Sequence, residues 1–314
     1  MSRLLAVLTE ATGLSGYDLA RVIATAPHRY KQFTIPKRQG GTRLIAQPAR
    51  EVKAMQRAIV RAYLSDLPIH PAVTAYEPGT SIRENASRHA TNGPILKLDI
   101  ADFFPSIRAD DFLSYCAEHS LFDDESERIA ATKILFHRPK GARVLRLAIG
   151  APSSPHISNL LMYHFDRAVA SEVGDQFVTY TRYADDLTFS AKRTGYLNPV
   201  EKIVRKVLRE IGYPRLKLND SKKVVATKKY HRQVTGLVLS NDGRVSLGRK
   251  RKRELRAALH HFAGGKLEPK AQKHLHGMMA FAKDAEPDFY ARMQARYGRN
   301  VFEALSEALR EADE

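Results

Sequence analysis

Residues 179–190 read Thr-Tyr-Thr-Arg-Tyr-Ala-Asp-Asp-Leu-Thr-Phe-Ser. Two short runs rich in β-branched and aromatic residues flank a tight corner at Ala184-Asp185-Asp186, a pattern that predicts a β-hairpin. Asp-Asp is not a favoured hairpin turn, and adjacent carboxylates repel each other. From this stretch alone, both a solvated acidic turn and a functional site remain open.

A third carboxylate ends a predicted strand earlier in the chain. Residues 95–100 alternate, with apolar side chains on one face and Lys97 and Asp99 on the other. A buried carboxylate is costly unless it meets a cation, so Asp99 needs a partner such as Lys97 or a metal ion. If this strand and the hairpin are neighbours in one antiparallel sheet, Asp99 converges with Asp185 and Asp186.

Three carboxylates without a thiolate favour Mg²⁺ or Mn²⁺ over zinc. Two such ions, about 4 Å apart, would activate a sugar hydroxyl and stabilise a leaving pyrophosphate. The composition also predicts a polyanionic partner. The formal net charge is +17, and residues 201–260 hold 18 Lys and Arg against 5 Asp and Glu. A basic face beside an acidic metal site predicts a nucleic-acid polymerase.

The remaining composition narrows the class of protein. With 314 residues the chain is long enough for two or three packed subdomains. No apolar run is long enough for a membrane span and the N-terminus does not resemble a signal peptide, so we expect a cytoplasmic protein without a membrane partner. The single cysteine, Cys116, excludes an internal disulfide and is expected in the core.

Three further segments carry predictions. Residues 33–45 form a hairpin with cations on both arms of a Gly-Gly turn, and a helix follows from about Pro48 to Leu64. A Gly/Ser/Pro-rich loop leads into a helix with Ser154 as the predicted N-cap, an entry that suits a phosphate. Five cations, Arg249 to Arg253, begin another predicted helix and are expected to contact a nucleic-acid backbone, the alternative being a solvated face.

The motifs together resemble the reverse transcriptase family. Tyr183-Ala184-Asp185-Asp186 looks like its YxDD box, and Leu98-Asp99-Ile100-Ala101-Asp102-Phe103-Phe104-Pro105-Ser106-Ile107 looks like its first catalytic motif. Asn85-Ala86-x-x-His89 and Val234-Thr235-Gly236 make the chain most similar to bacterial retron reverse transcriptases. One departure is Ala148-Ile149 before Gly150, where many relatives carry Pro-Gln.

The resemblance implies an α+β right-hand polymerase fold. An N-terminal helical extension would span residues 1–30, fingers 31–94, a palm 95–240 with an insertion at about 110–148, and a basic helical thumb 241–314.

The resemblance also implies the site residues. Asp99, Asp185 and Asp186 would bind two Mg²⁺ ions, Mn²⁺ being an alternative, with the Ile100 carbonyl as a further ligand. Phe104 would exclude a ribose 2′-hydroxyl. The nucleotide contacts would be Lys37, Arg43, Phe104, Gly150, Ala151 and Pro152. The RNA contacts would be Asn85, His89, Arg249, Lys250, Arg251, Lys252 and Arg253. On physical grounds alone, a lone Asn and His such as Asn85 and His89 are more often local hydrogen-bonders than ligands.

The activity implied is RNA-directed DNA polymerisation from dNTPs on a cognate structured non-coding RNA. Priming from a guanosine 2′-hydroxyl would give branched multicopy single-stranded DNA, in antiphage defence with a separately encoded effector protein. The alternatives are another bacterial reverse transcriptase, of the group II intron or diversity-generating type, and a non-catalytic RNA-binding scaffold.

Overall fold

The computed structural model describes residues 2–37, 40–175 and 177–310, with side chains described as far as residue 307. Arg38 and Gln39, at the predicted Gly-Gly hairpin, lie outside the described residues. Among the described residues, no helix combines the length and the hydrophobicity that crossing a membrane requires.

A four-stranded antiparallel sheet forms the centre of the molecule. Its strands are β3 (Ile95–Asp99), β4 (Thr179–Tyr183), β5 (Asp186–Ser190) and β6 (Val224–Ala226). Their spatial order is β4-β5-β3-β6, so the predicted strand lies directly beside the predicted hairpin. The register pairs Asp99 with Asp186, which confirms the expected convergence of the two segments.

The N-terminal part contains the predicted helical extension, hairpin and helix. Its elements are α1 (Arg3–Thr12), α2 (Gly16–Thr25), β1 (Tyr30–Pro36), β2 (Thr42–Pro48), α3 (Arg50–Ile59) and α4 (Ile82–Ala90), with a 3₁₀ turn at Ala26–His28. A π-helical turn, Val60–Leu64, extends α3 to the predicted end. β1 and β2 pair only with each other within the described residues, and almost all of β1 is exposed.

One face of the central sheet is covered by helices. These are α5 (Phe103–Ser106), α6 (Ala109–Glu118), α7 (Glu125–Leu135), α8 (Ser154–Leu161), α9 (Tyr163–Gly174) and α10 (Val200–Glu210), and short 3₁₀ turns lie at Thr194–Leu197 and Asp220–Lys222. Leu98 and Leu187 of the sheet share an apolar cluster with Phe112, Phe165 and Val204 of these helices. Burying such side chains contributes about 1.5–3 kcal/mol each, so this cluster fixes the sheet.

The structure tests the predicted burial of Cys116 and the predicted N-cap at Ser154. Cys116 is fully buried in the same cluster, as expected. Ser154 is not an N-cap, because the helix already includes it and Ser153 holds that place without a capping hydrogen bond. Pro155 is tolerated at either of the first two helical positions, since their N–H groups have no partner inside the helix.

The C-terminal part is a small sheet followed by a helical bundle. It consists of β7 (Gln233–Val234), β8 (Leu237–Leu239), β9 (Val245–Ser246), α11 (Arg249–Ala263), α12 (Pro269–Ala285), α13 (Pro287–Tyr297) and α14 (Arg299–Arg310). A second apolar cluster joins Val234 and Leu237 of this sheet to Ala86 and Ala90 of α4 and to Met279 of the bundle. Helix α4 therefore lies between the central sheet and the C-terminal bundle.

Candidate active site

Asp99, Asp185 and Asp186 lie together at one end of the central sheet. Asp99 ends β3 opposite Asp186, the first residue of β5. Asp185 occupies the turn, where its backbone carbonyl accepts a hydrogen bond from the Ile100 amide over 3.0 Å. The structure thus brings together the three carboxylates and the backbone segment that the sequence singled out.

Burial and neighbouring carboxylates disfavour the charged forms of Asp185 and Asp186. Burial raises the pKa of Asp185, and the charges of Asp186 and Asp99 raise it further. Burial also raises the pKa of Asp186, against the opposing effect of the Lys97 ammonium and in the same direction as the Asp99 charge. A cation bound among the three groups would favour the ionised carboxylates and offset this cost.

Asp99 has one satisfied oxygen and one unsatisfied oxygen. Its side chain is buried, and Oδ2 accepts a hydrogen bond from Nζ of Lys222 over 2.8 Å. Oδ1 is buried, and no residue that the structure describes donates a hydrogen bond to it. Leaving such an acceptor unpaired is costly, so this oxygen is the natural place for a cation. An all-oxygen donor set of this kind fits Mg²⁺ or Mn²⁺.

Asp99 was expected to meet a cation such as Lys97 or a metal ion, and the cation that pairs with it is a different lysine. Lys97 faces Thr188 in the register and acts on Asp186, whereas Lys222 supplies the ion pair. The hydrogen bond to Asp99 raises the pKa of Lys222. Asn219, three residues before Lys222, places this basic segment by donating its amide to the Asp99 carbonyl over 2.8 Å.

A buried arginine supports the turn that carries the aspartates. Ala184 has a φ of 56°, in the left-handed region that a residue with a Cβ adopts only at a cost. Arg182 is fully buried and donates from Nη1 to the Ala184 carbonyl over 3.3 Å. Its Nε and Nη2 bind Asp166 at 2.7–3.0 Å, and the Tyr180 hydroxyl donates to the same carboxylate.

This network was not foreseen from the sequence. Breaking a buried ion pair by removing one partner costs about 3–5 kcal/mol, so Arg182 and Asp166 fix each other and the turn. Asn159 extends the network, because it accepts from Arg182 over 3.2 Å and donates to the Ala75 carbonyl over 2.9 Å. The feature of the sequence that could have indicated this network is an arginine, Arg182, inside an otherwise apolar and hydroxylic strand.

An open cavity of about 370 Å³ is lined by most of the predicted nucleotide contacts. Its volume lies in the range of small-molecule sites. The lining residues are Lys53, Arg57, Tyr76, Phe104, Ala148, Ile149, Gly150, Ala151, Pro152, Ser154 and Pro155. Phe104, Gly150, Ala151 and Pro152 are therefore together, as predicted.

Tyr76 connects this cavity to the aspartates, and sequence reasoning missed it. Its φ of 67° is unusual for an aromatic residue, and its ring centroid lies 6.4 Å from that of Phe104. Burial raises the pKa of the Tyr76 phenol, the Asp185 charge raises it further, and Arg43 lowers it. Tyr76 therefore lies within electrostatic reach of both the turn and the β1–β2 hairpin.

Lys37 and Arg43 are exposed on the β1–β2 hairpin and do not line the cavity. The hairpin is nevertheless fixed to the cavity wall, because the Ala46 amide donates to the Ile149 carbonyl over 2.8 Å. A Cβ at Gly150 would lie 3.0 Å from the Ile45 side chain and 3.1 Å from the Ala46 carbonyl, at a φ of +114°. This close approach requires glycine.

The predicted RNA contacts at Asn85 and His89 are contradicted by burial. Both side chains are fully buried on α4, facing the hairpin of the central sheet. The His89 ring nitrogens lie 2.7 Å from Ser190 Oγ and 2.8 Å from Thr181 Oγ1, and Thr181 donates to Asn85 over 2.6 Å. These buried contacts give His89 and the Oδ1 of Asn85 a structural role, whereas Nδ2 of Asn85 is buried with no hydrogen-bond partner among the described residues. Sequence spacing alone cannot distinguish such a helix face from a binding surface.

The five cations at the start of α11 divide into two groups. Arg249, Lys250 and Arg253 are exposed. Arg251 donates to the Gly236 carbonyl over 3.3 Å and lies over the Phe281 ring. Lys252 pairs with Glu286 at 2.5 Å and is only 19% exposed. Arg251 and Lys252 therefore fix α11 within the protein, contrary to the prediction that all five cations contact RNA.

A second cluster of metal-ligating side chains lies outside this site. Glu118, His119 and His164 place one ligand atom each within 4.8 Å of one another. Glu118 already accepts hydrogen bonds from His164 and from Tyr213. These contacts explain the cluster without an ion.

Comparison with known proteins identifies the family to which the chain is similar. The family described as reverse transcriptase (RNA-dependent DNA polymerase) matches residues 35–239. The Escherichia coli retron Ec83 reverse transcriptase is 36% identical, with 92% of this chain and 93% of that protein aligned. The Myxococcus xanthus retron Mx65 enzyme is 34% identical over 90% and 67% of the two chains, and the Escherichia coli retron Ec86 enzyme 31% over 93% and 90%.

The buried histidine predicts a pH dependence of stability. Burial lowers the pKa of His89 to about 3, against about 6.5 in an unfolded chain. The stability that His89 contributes is therefore present above pH 6.5 and lost as the pH falls below it, by about 2 kcal/mol between pH 7 and pH 5. In urea titrations, the unfolding free energy of the wild type should therefore fall between pH 7 and pH 5 by about 2 kcal/mol more than that of His89→Gln. Parallel pH curves would contradict the assignment, and His28→Gln, at an exposed histidine, is the control.

Proposed function

The chain belongs to the retron reverse transcriptases and is an RNA-directed DNA polymerase, and from this premise we propose that it copies part of a cognate structured non-coding RNA. The observation that carries the proposal is the group of three aspartates at the end of a buried antiparallel sheet. A nucleotide-sized cavity supports it as well, because its lining residue Tyr76 lies within electrostatic reach of Asp185 and of Arg43 on the exposed hairpin. An RNA-binding scaffold would need none of the three acids.

We propose that Asp99, Asp185, Asp186 and the Ile100 carbonyl hold two Mg²⁺ ions. When bound, such ions activate the attacking sugar hydroxyl and stabilise the charge of the leaving pyrophosphate. The unpaired Oδ1 of Asp99 and the raised pKa values of Asp185 and Asp186 support this assignment. The chain's own part is positioning, because Arg182 and Asp166 hold the turn that carries two of the ligands.

The proposed nucleotide site combines the cavity with the β1–β2 hairpin. Lys37 and Arg43 would hold the triphosphate of a dNTP through charge-assisted hydrogen bonds. Phe104, on the cavity wall, would stand under the sugar and exclude a 2′-hydroxyl. Gly150, Ala151 and Pro152 would contact the base pair from the opposite wall. Ile149 lines the cavity where many relatives carry an amide, so shape and not hydrogen bonding would act there.

We propose the domains of a right-hand polymerase for this chain. An extension (1–30), fingers (31–94), a palm (95–240) with an insertion at about 110–148, and a thumb (241–314) would surround the template and product. Arg249, Lys250 and Arg253 remain proposed contacts to the RNA backbone, because their side chains are exposed.

The proposed biology comes from the relatives, which are named for their retrons. We propose priming from a guanosine 2′-hydroxyl of the same RNA, which gives a branched RNA–DNA product. We also propose a role in antiphage defence together with a separately encoded effector protein. A group II intron or diversity-generating enzyme would share the aspartates but not this branched product.

Neutralising one aspartate should abolish polymerisation. We expect Asp185→Asn to lower the rate of dNTP incorporation on a primed RNA by at least about a thousandfold, because about 4 kcal/mol of transition-state stabilisation is lost. Asp102→Asn makes the same change beside the site and should stay near the wild-type rate, since asparagine tolerates its φ of 45°. Equal rates for the wild type and Asp185→Asn in single-turnover extension would refute the catalytic assignment.

The priming proposal predicts a branched product. The nucleic acid made in cells expressing the protein with its RNA should change its mobility in a denaturing gel after treatment with a 2′,5′-debranching enzyme. DNA extended in vitro from a separate annealed primer is the matched control and should not shift. An unshifted cellular product would count against 2′-priming while leaving the polymerase activity intact.

A further inference from the structure

One aromatic side chain of the nucleotide cavity has no role in the proposed nucleotide site. Tyr76 lines this cavity, and its ring lies beside that of Phe104, the residue proposed to exclude a 2′-hydroxyl. Tyr76 is 51% exposed, and its hydroxyl forms no hydrogen bond with any residue that the structure describes. A polar group without a partner in the protein is available to a molecule that enters the cavity.

The backbone at Tyr76 adopts a conformation that costs energy. Its φ of 67° lies in the left-handed region, where an aromatic residue is strained. Glycine would adopt the same φ without this strain. Strained residues persist only where the surrounding structure holds them, and they cluster at active sites and ligand-binding sites. Stability alone therefore gives no reason for a tyrosine at this position.

Both chain neighbours of Tyr76 are held by one buried amide. Nδ2 of Asn159 donates to the Ala75 carbonyl over 2.9 Å and to the Glu77 carboxylate over 2.7 Å. The same Asn159 side chain accepts a hydrogen bond from Arg182, which also donates to the turn that carries the aspartates. The position of Tyr76 is therefore coupled to the position of the catalytic carboxylates.

The segment before Tyr76 is bound to the central sheet. The Arg182 amide donates to the Ala72 carbonyl over 2.8 Å, and the Thr74 amide donates to the Arg182 carbonyl over 2.9 Å. These bonds form a short parallel bridge between Val73 and β4. A side chain held by a sheet is placed more precisely than one on a free loop. Tyr76 is therefore a fixed part of the cavity wall.

The surroundings of Tyr76 indicate which part of a nucleotide it would meet. Asp185 and Arg43 both act electrostatically on the phenol, and the Phe104 ring centroid lies 6.4 Å from that of Tyr76. Asp185 is proposed to hold metal ions at the phosphates, Arg43 to hold the triphosphate and Phe104 to stand at C2′ of the sugar. In a nucleotide, C3′ lies between C2′ and the C4′–C5′ arm that carries the phosphates. The 3′-hydroxyl is therefore the group that falls between these three residues.

We propose that the Tyr76 hydroxyl forms a hydrogen bond with the 3′-hydroxyl of the incoming dNTP. This inference rests on the proposed polymerase function. Phe104 would act by excluding a 2′-hydroxyl, whereas Tyr76 acts through a favourable contact that a 2′,3′-dideoxynucleotide cannot form. Tyr76 is thus a specificity-determining residue, and together the two aromatic residues recognise both hydroxyl positions of the sugar.

The test compares single-nucleotide incorporation of a dNTP and of the matching 2′,3′-dideoxynucleotide (ddNTP) on the same primed RNA. For Tyr76→Phe, which keeps the ring, we expect kcat/KM for the dNTP to fall about two- to tenfold, the contribution of one hydrogen bond. The loss should appear in KM, because the contact is already present when the nucleotide is bound. For the ddNTP, kcat/KM should equal that of the wild type.

Two controls separate nucleotide recognition from a structural role. The urea midpoint of Tyr76→Phe should equal that of the wild type, because the hydroxyl has no partner among the described residues. A lower midpoint would give the hydroxyl a structural role and overturn the inference. Tyr17→Phe makes the same change at an 80% exposed tyrosine on α2 and should leave both kcat/KM values unchanged.

The ratio of the two kcat/KM values decides the inference. If Tyr76→Phe keeps the wild-type preference for the dNTP over the ddNTP, or loses equally with both, Tyr76 does not recognise the 3′-hydroxyl. Either result leaves the polymerase assignment standing, since the wild type still incorporates the dNTP. Failure of the wild type to incorporate either nucleotide on any primed RNA would instead overturn the proposed function.

Discussion

The constraint on which the structure depends is the repulsion among three carboxylates at a partly buried sheet end. Burial and neighbouring carboxylate charge raise the pKa values of Asp185 and Asp186, so the protein must hold both groups against electrostatic repulsion. Lys222 offsets part of this repulsion through Asp99. The remaining negative charge favours the binding of divalent cations. The unsatisfied Oδ1 of Asp99 identifies where such binding is most favourable.

The surrounding elements supply the rigidity that this arrangement requires. The buried pair of Arg182 and Asp166 fixes the turn. Helix α4 supports the same hairpin through the hydrogen bonds of His89 and Asn85 to Thr181. The opposite side of α4 packs against β7 and β8. The two retron signatures, around His89 and around Thr235, therefore meet at one helix, where the Thr235 hydroxyl donates to the Ile82 carbonyl over 2.9 Å.

Local patterns predicted the elements and the convergence of the aspartates, because strand alternation and turn composition act over a few residues. The pairing partners were not predictable, since Lys222 meets Asp99 across 123 positions of sequence and only the folded chain brings them together. The error at His89 has the same origin. A polar side chain on a helix has the same sequence signature whether it faces water, RNA or a buried threonine, and only packing decides which.

The most direct test of the central claim measures stability, not activity. A carboxylate whose pKa is raised by folding costs stability at neutral pH. Asp185→Asn should therefore have a higher unfolding free energy than the wild type in urea with chelator present. Added Mg²⁺ should stabilise the wild type and stabilise this variant less, because cation binding adds stability only where the site is complete. A variant less stable than the wild type with chelator, and equally stabilised by Mg²⁺, would contradict the account.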